Sequence, residues 1–150
     1  MTHTYSTTLS WQGSTRDGYR AYSRAHTASA PPADATLNLT ADPAFRGDAA
    51  DLNPEQLVVM AASSCQLLSF LALAARHQLD VLAYRDSAEG FMEVTREPMR
   101  ISRIVLRPVI RVAAGTDAAE VVRLVHLAHG ECFIANSLNS TIDIEPRVEV

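Results

Sequence analysis

The sequence predicts an α+β fold with antiparallel sheets, and three observations predict it. Short runs rich in Thr and aromatics fill the first forty residues, a nearly all-apolar helix follows from residue 54, and longer strand-like runs then flank a second helix. The order βββ-α-ββ-α-β groups strands with strands, which favours antiparallel pairing over a parallel doubly wound sheet. At 150 residues and 16.3 kDa the chain fits one domain, 1–150. A chain of this length buries about 70% of its unfolded surface, enough for a proper core.

The first strands are read at Thr4–Trp11, punctuated by Gly13, Asp17 and Gly18, then at Tyr19–Thr27, and at Thr36–Thr40 after Pro31-Pro32. Residues 41–52 read as a loop. Asn53 is a good N-cap, Pro54 suits the first helical position, and Glu55 complements the helix dipole. The uncharged run Gln56–Ala75 is long enough to raise a membrane span, but Ser63, Ser64, Gln66 and Ser69 interrupt it. No basic cluster or aromatic belt flanks it, so a buried central helix is expected, with Ser63-Ser64 as a site for a kink.

Asp80–Val94 and Arg100–Val112 read as two long strands joined near Pro98. In the second, Ile104, Leu106, Ile110 and Val112 face one way, and Arg103, Arg107 and Arg111 face the other as a solvated face. Pro108 points to an edge position or a bulge. Asp117 and Glu120 form a potential capping box for a helix with Val121, Val122, Leu124, Val125 and Ala128 on its apolar side. Gly130 is expected to interrupt that helix. Cys132–Leu138 reads as a further helical turn and Thr141–Val150 as a closing strand.

Composition excludes several functions. Seventeen acids against thirteen bases give a net charge of −4, which argues against nucleic acid and anionic membranes as partners. All thirteen bases are arginine, which removes lysine Schiff-base chemistry. Two cysteines are too few for a disulfide framework or a four-cysteine zinc site, and the N-terminus has no signal-peptide organisation. A cytoplasmic protein is expected.

Three groups of residues carry candidate chemistry. Cys65 lies among small polar residues in the apolar helix, and Cys132 follows Gly130 in the polar segment ECFIANSLN; both also fit as small buried hydrophobes. His126, His129 and Cys132 are spaced three and three, but zinc needs three or four convergent ligands, so no metal is expected. Among the arginines, Arg16, Arg20, Arg24 and Arg46 sit where loops bring them near Glu55 or near a cysteine.

The motif Asn53-Pro54-Glu55-Gln56-Leu57, followed by Cys65, together with Cys132-Phe133-Ile134-Ala135-Asn136-Ser137-Leu138, resembles the OsmC/Ohr family of thiol-dependent organic-hydroperoxide reductases. Trp11–His26 and Phe45-Arg46-Gly47-Asp48 resemble its OsmC-like branch, and the resemblance runs over nearly the whole chain. It implies an OsmC-like fold, with sheets wrapped around central helices in an intertwined homodimer. It implies Cys65 as the peroxidatic cysteine, Cys132 as the resolving one and Glu55 as the acidic partner of an arginine. That arginine is Arg16, or alternatively Arg46. Gln66 stands where the branch often has His.

The implied chemistry is reduction of an organic hydroperoxide without cofactor, through a Cys65 sulfenic acid and a Cys65–Cys132 disulfide that an external dithiol resets. An apolar helix interior raises a thiol's pKa, so Cys65 reacts only beside a fixed positive charge. Met60, Phe70, Phe133 and Ile134 flank the cysteines and are candidates to line an alkyl-chain pocket. On a straight helix Glu55 and Cys65 lie about 15 Å apart along the axis and about 80° apart around it. Either the helix breaks, or Glu55 and the arginine serve a partner chain's cysteine. The alternative is a non-catalytic, stress-associated binding module that keeps the fold without efficient turnover.

Overall fold

A computed structural model describes residues 1–95 and 97–150. These residues form two compact units, Met1–Leu57 and Val58–Val150. The α+β class expected from the sequence holds, although several elements break differently from expectation.

In the first unit β1 (Thr8–Ser10), β2 (His26–Ser29) and β3 (Thr36–Leu39) form an antiparallel sheet in sequence order. Leu9 stands opposite Ala28, and Ala28 opposite Leu37. The strand expected from Tyr19 is absent until His26. Its backbone acceptors are taken by side chains: the Trp11 indole N–H donates to the Ser23 carbonyl at 2.8 Å, and the Arg24 guanidinium donates to the Tyr19 and Tyr22 carbonyls. A short 3₁₀ turn, Pro43–Phe45, follows β3, capped by the Asp42 carboxylate accepting from the Ala44 N–H at 2.7 Å. Gly47 is required here, because a Cβ would sit 1.5 Å from the Ala41 carbonyl oxygen.

Helix α1 (Pro54–Arg76) starts where the sequence places it. Asn53 and Gln56 cap it reciprocally: the Gln56 N–H donates to Asn53 Oδ1 at 2.9 Å, and the Asn53 N–H donates to Gln56 Oε1 at 3.0 Å. The helix is unbroken through Ser63-Ser64.

In the second unit the three expected strands each divide. Asp80–Val94 becomes β4 (Val81–Asp86) and β5 (Glu89–Met92); Arg100–Val112 becomes β6 (Ile101–Leu106) and β7 (Pro108–Val112). After helices α2 (Ala118–Glu131) and α3 (Phe133–Ser137), the closing segment becomes β8 (Thr141–Ile144) and β9 (Arg147–Glu149). One half of each segment enters the sheet β4-β7-β9 and the other enters β5-β6-β8. Segments 101–112 and 141–149 cross between the sheets in the same direction. The pairs β6–β8 and β7–β9 are therefore parallel, and the sheets are mixed rather than wholly antiparallel.

Asp86 holds the crossing point. Its Oδ1 accepts the Arg107 N–H at 2.6 Å and its Oδ2 accepts the Ser63 hydroxyl at 2.5 Å, tying the corner to α1. Pro108 is buried and opens the central strand β7 rather than lying at an edge. As a strand's first residue it gives up little of the ladder. The single solvated arginine face expected from the sequence is not formed. Arg103 on β6 and Arg111 on β7 are exposed in different sheets, Val105 between them is buried, and Arg107 is half-buried at the break between the strands. Arg103 pairs with Asp143 at 2.7 Å, and Arg107 with Glu89 and Glu145 at 2.6 and 3.1 Å.

Two further expectations at α2 are corrected. Asp117 caps it by accepting from the Ala119 N–H at 3.0 Å, but Glu120 grips Arg123 at 2.7 Å and leaves the box open. Gly130 lies inside α2, which continues to Glu131. The principal core joins Phe70, Leu73 and Ala74 of α1 to Ile110 and Val112 of β7 and to Val121, Leu124, Val125 and Ala128 of α2. A smaller one joins Ala62 to Ile104 and Leu106. Helix α1 is long and apolar enough to cross a bilayer, yet Phe70 and Gln66 are fully buried by the chain itself. Its other side is open, with Leu68 64% exposed.

Leu124 is fully buried at the centre of the larger core. Leu124→Ala should cost about 2–5 kcal/mol of unfolding free energy, read from the midpoint shift in urea. A cost near zero would mean that α2 is not fixed to α1 and β7 as described.

Candidate functional site

Cys132 occupies the joint between α2 and α3. With φ −71° and ψ 114° it is both the C-cap of one helix and the N-cap of the next. Its own N–H reaches back to the His129 carbonyl at 3.3 Å, and its Sγ accepts from the Ala135 N–H at 3.4 Å. Asn136 and Ser137 brace the turn, donating to the carbonyls of Gly130 at 3.1 Å and Phe133 at 2.7 Å. The polar residues of the second cysteine motif thus build the corner that presents Cys132.

Cys65 projects from α1 into this corner. It is partly exposed, Cys132 is buried, and both are free thiols, near enough that each shifts the other's titration. Burial acts to push the Cys65 thiol up. The Ile134 N–H, the Cys132 thiol, the Phe133 N–H and the Ser69 hydroxyl outweigh it, so Cys65 lies below the ordinary cysteine value. Cys132 goes the other way: burial raises it, and the Cys65 sulfur raises it further against the Ala135 and Ile134 amides. The two sulfurs are therefore shifted in opposite directions.

Among the described residues the groups that lower Cys65 are the Ile134 and Phe133 amides, the Cys132 thiol and the Ser69 hydroxyl, with no guanidinium among them. Arg16 is exposed in the turn around Gly18. Arg46 takes a left-handed conformation, φ 69°, and donates to the Arg20 carbonyl at 3.4 Å. The first unit contains a mostly apolar cavity of about 440 Å³, lined by Trp11, Tyr22, Phe45 and Pro54 with the polar groups of Arg24 and Glu55. Arg24 stacks over Tyr22, 3.7 Å from the ring centroid, and over Tyr19 at 4.6 Å. Neither Arg16 nor Arg46 lines this cavity. Arg24, one of the four arginines expected near Glu55 or a cysteine, is the one that lines the cavity with Glu55.

Of the four residues expected to line an alkyl pocket, Met60 and Phe133 are exposed, at 45% and 80%, and Ile134 is half-buried. Phe70 is different: it is 0% exposed, packed at 6.0 Å from the Tyr84 ring centroid, and belongs to the core. Gln66 is also fully buried, its Nε2 donating to the Val125 carbonyl at 2.9 Å. His126 is exposed and His129 half-buried. No cluster of three or more His, Cys, Asp or Glu is placed to hold a metal among the described residues.

A model of the family described as OsmC-like protein matches residues 47–147. Uncharacterized protein YmaD of Bacillus subtilis is 23% identical over 101 residues, 65% of this chain and 67% of its own. An OsmC-like protein of unknown function from Vibrio cholerae superposes with a TM-score of 0.87 at 28% identity, covering 97% of this chain and 99% of that one. A Legionella pneumophila protein described as an organic hydroperoxide resistance protein shares the fold, with TM-score 0.74 and 19% identity over 99% and 98% of the two chains.

The two sulfurs should separate on alkylation. Iodoacetamide should label Cys65 with a half-maximal pH below that of an unstructured peptide cysteine, and Cys132 with one above it, as read by mass spectrometry across a pH series. Cys65 is then more thiolate than a free cysteine at neutral pH and loses that advantage as pH falls through its own pKa. Equal labelling of both would contradict the opposed shifts.

Proposed function

The chain belongs to the OsmC-like protein family, and from that premise we propose that it is a thiol-dependent peroxidase reducing organic hydroperoxides. The observation that carries the reading is the pairing of a partly exposed Cys65, its thiol lowered, with a buried Cys132, its thiol raised. The Cys65 thiolate attacks the outer oxygen of R–O–O–H, the O–O bond breaks, and the alkoxide takes a proton to leave as the alcohol. The sulfur, oxidised by two electrons, becomes a sulfenic acid. The Cys132 thiol then displaces water from it, forming the Cys65–Cys132 disulfide before over-oxidation. An external dithiol returns two electrons and two protons by exchange. No cofactor or metal enters the reaction.

Glu55 is proposed to orient an arginine toward the reacting oxygens, with Arg16 first, Arg46 as the alternative and Arg24 added because it shares a cavity with Glu55. Since α1 is unbroken, its rise of about 1.5 Å per residue separates Glu55 from Cys65 on the same helix. The proposed assembly is therefore an intertwined homodimer in which Glu55 and the arginine serve the partner's cysteine. The open apolar side of α1, carrying Met60, Leu68 and Leu71, suits burial in that dimer. Met60, Phe133 and Ile134 are proposed to meet the alkyl group, and the proposed compartment is the cytoplasm. A second reading, a binding module without turnover, draws on the absence of a guanidinium among the described groups acting on Cys65.

One equivalent of an alkyl hydroperoxide should remove two hydrogens from the parent protein and add one oxygen at Cys65 in Cys132→Ser, read by intact-mass and peptide mass spectrometry. No change in either would favour the binding module. Among Arg16→Ala, Arg46→Ala and Arg24→Ala, replacing the arginine that performs the role should slow Cys65 oxidation about 10²-fold, in stopped flow. If none slows it, the guanidinium has no part. Sedimentation at micromolar concentration should give a dimer, and a monomer would remove the shared-site assembly.

A further inference from the structure

Gln66 follows Cys65 directly on α1, yet its side chain is fully buried in an apolar setting. Burying an amide is costly unless both of its ends are satisfied, and Gln66 Oε1 has no partner among the described residues. A methionine or leucine would fill similar space without that cost. What the amide supplies instead is direction. Its Nε2 donates at 2.9 Å to the Val125 carbonyl of α2, the helix that ends at Cys132. Apolar packing tolerates sliding between helices, whereas a hydrogen bond fixes one atom against another.

We infer that Gln66 is a positioning residue, a polar peg that sets the register of α1 against α2 and so holds the Cys65 sulfur in place against Cys132 and the first turn of α3. The inference rests on Cys65 and Cys132 being the reacting pair proposed above, and concerns how they are held. The contacts it governs are short-ranged. Amide–sulfur hydrogen bonds weaken steeply with distance and angle, so a small slip of α1 removes the preference for the thiolate before it harms the core. Gln66 therefore acts on reactivity through geometry and touches no substrate.

The test uses full-length protein with Gln66→Met, which keeps length and apolar volume and removes the donor. Two readouts need no peroxide: the pH profile of Cys65 alkylation, and the equilibrium of the Cys65–Cys132 disulfide with dithiothreitol. The expected result is an alkylation profile moved up toward a peptide cysteine and a disulfide about five- to tenfold easier to reduce, with the urea midpoint unchanged or raised. The disulfide is measured at a pH low enough that Cys65 is protonated in both proteins, so that only the lost proximity is read. Gln66→His, which keeps an N–H donor, should recover most of both. Should the Met variant fail to fold, Gln66→Leu is read in its place. Unchanged profile and equilibrium overturn the inference. So does a protein that folds only with a donor at position 66, or a loss of stability that tracks both readouts. The hydroperoxide experiment stands apart: a parent that forms no disulfide with peroxide ends the peroxidase reading, while the exchange and alkylation readouts still decide the role of Gln66.

Discussion

The contact between Cys65 and the Cys132 corner is the constraint around which the second unit is arranged. A thiol on an apolar helix is pushed toward its neutral form by burial. Here the opposing groups are few and local: two amides from the first turn of α3, the Cys132 thiol and the Ser69 hydroxyl. The Ile134 amide also acts on Cys132, so both sulfurs draw on the same short turn. The asymmetry between them comes from burial and from mutual repulsion of charge, which together raise Cys132 while Cys65 is lowered. A nucleophile and a resolving thiol differ in these same respects.

Fixing that contact requires three pieces of chain to meet, and each has its own anchor. Helix α1 is tied to the sheet corner by the Ser63–Asp86 hydrogen bond, and Asp86 also takes the Arg107 amide where the chain passes between sheets. Helix α2 is seated by Val121, Leu124, Val125 and Ala128 against β7. Helix α3 packs Ile134, with Leu138 just beyond it, against the smaller core and is closed by hydrogen bonds at Cys132, Asn136 and Ser137.

The start of α1 and the extent of its apolar run were legible because capping chemistry and hydrophobic pattern are local. The two cysteine motifs were legible as a pair, and the contact between their sulfurs extends that reading into space. The sheet hops were not legible. Asp80–Val94, Arg100–Val112 and Thr141–Val150 keep strand-like composition across their corners, and only tertiary pairing reveals the division at Arg107 and near Pro146. Gly130 costs a helix about 1 kcal/mol against Ala, which tertiary packing of α2 overrides. The Tyr19–Thr27 run alternates like a strand, but Arg24 and Trp11 spend its carbonyls on side-chain bonds. Phe70 stood near Cys65 in sequence, yet helical phase turns it into the core.

The source of acidity at Cys65 changes what an arginine is needed for. From sequence, a thiolate in an oily helix demanded a permanent cation beside it. The structure leaves Cys65 partly exposed and surrounds it with neutral donors, which lowers its pKa without any guanidinium among the described groups. Neutral donors pointed at sulfur, however, do nothing for the oxygen that leaves as the O–O bond breaks. Negative charge develops on that oxygen only in the transition state, and a fixed guanidinium stabilises such charge more than a neutral amide can. In the proposed reaction the two tasks therefore separate: amides of α3 prepare the nucleophile, and the arginine held by Glu55 receives the alkoxide. An arginine that serves the leaving oxygen has no need to touch the resting sulfur, so the proposed reaction does not require a guanidinium among the groups that act on Cys65.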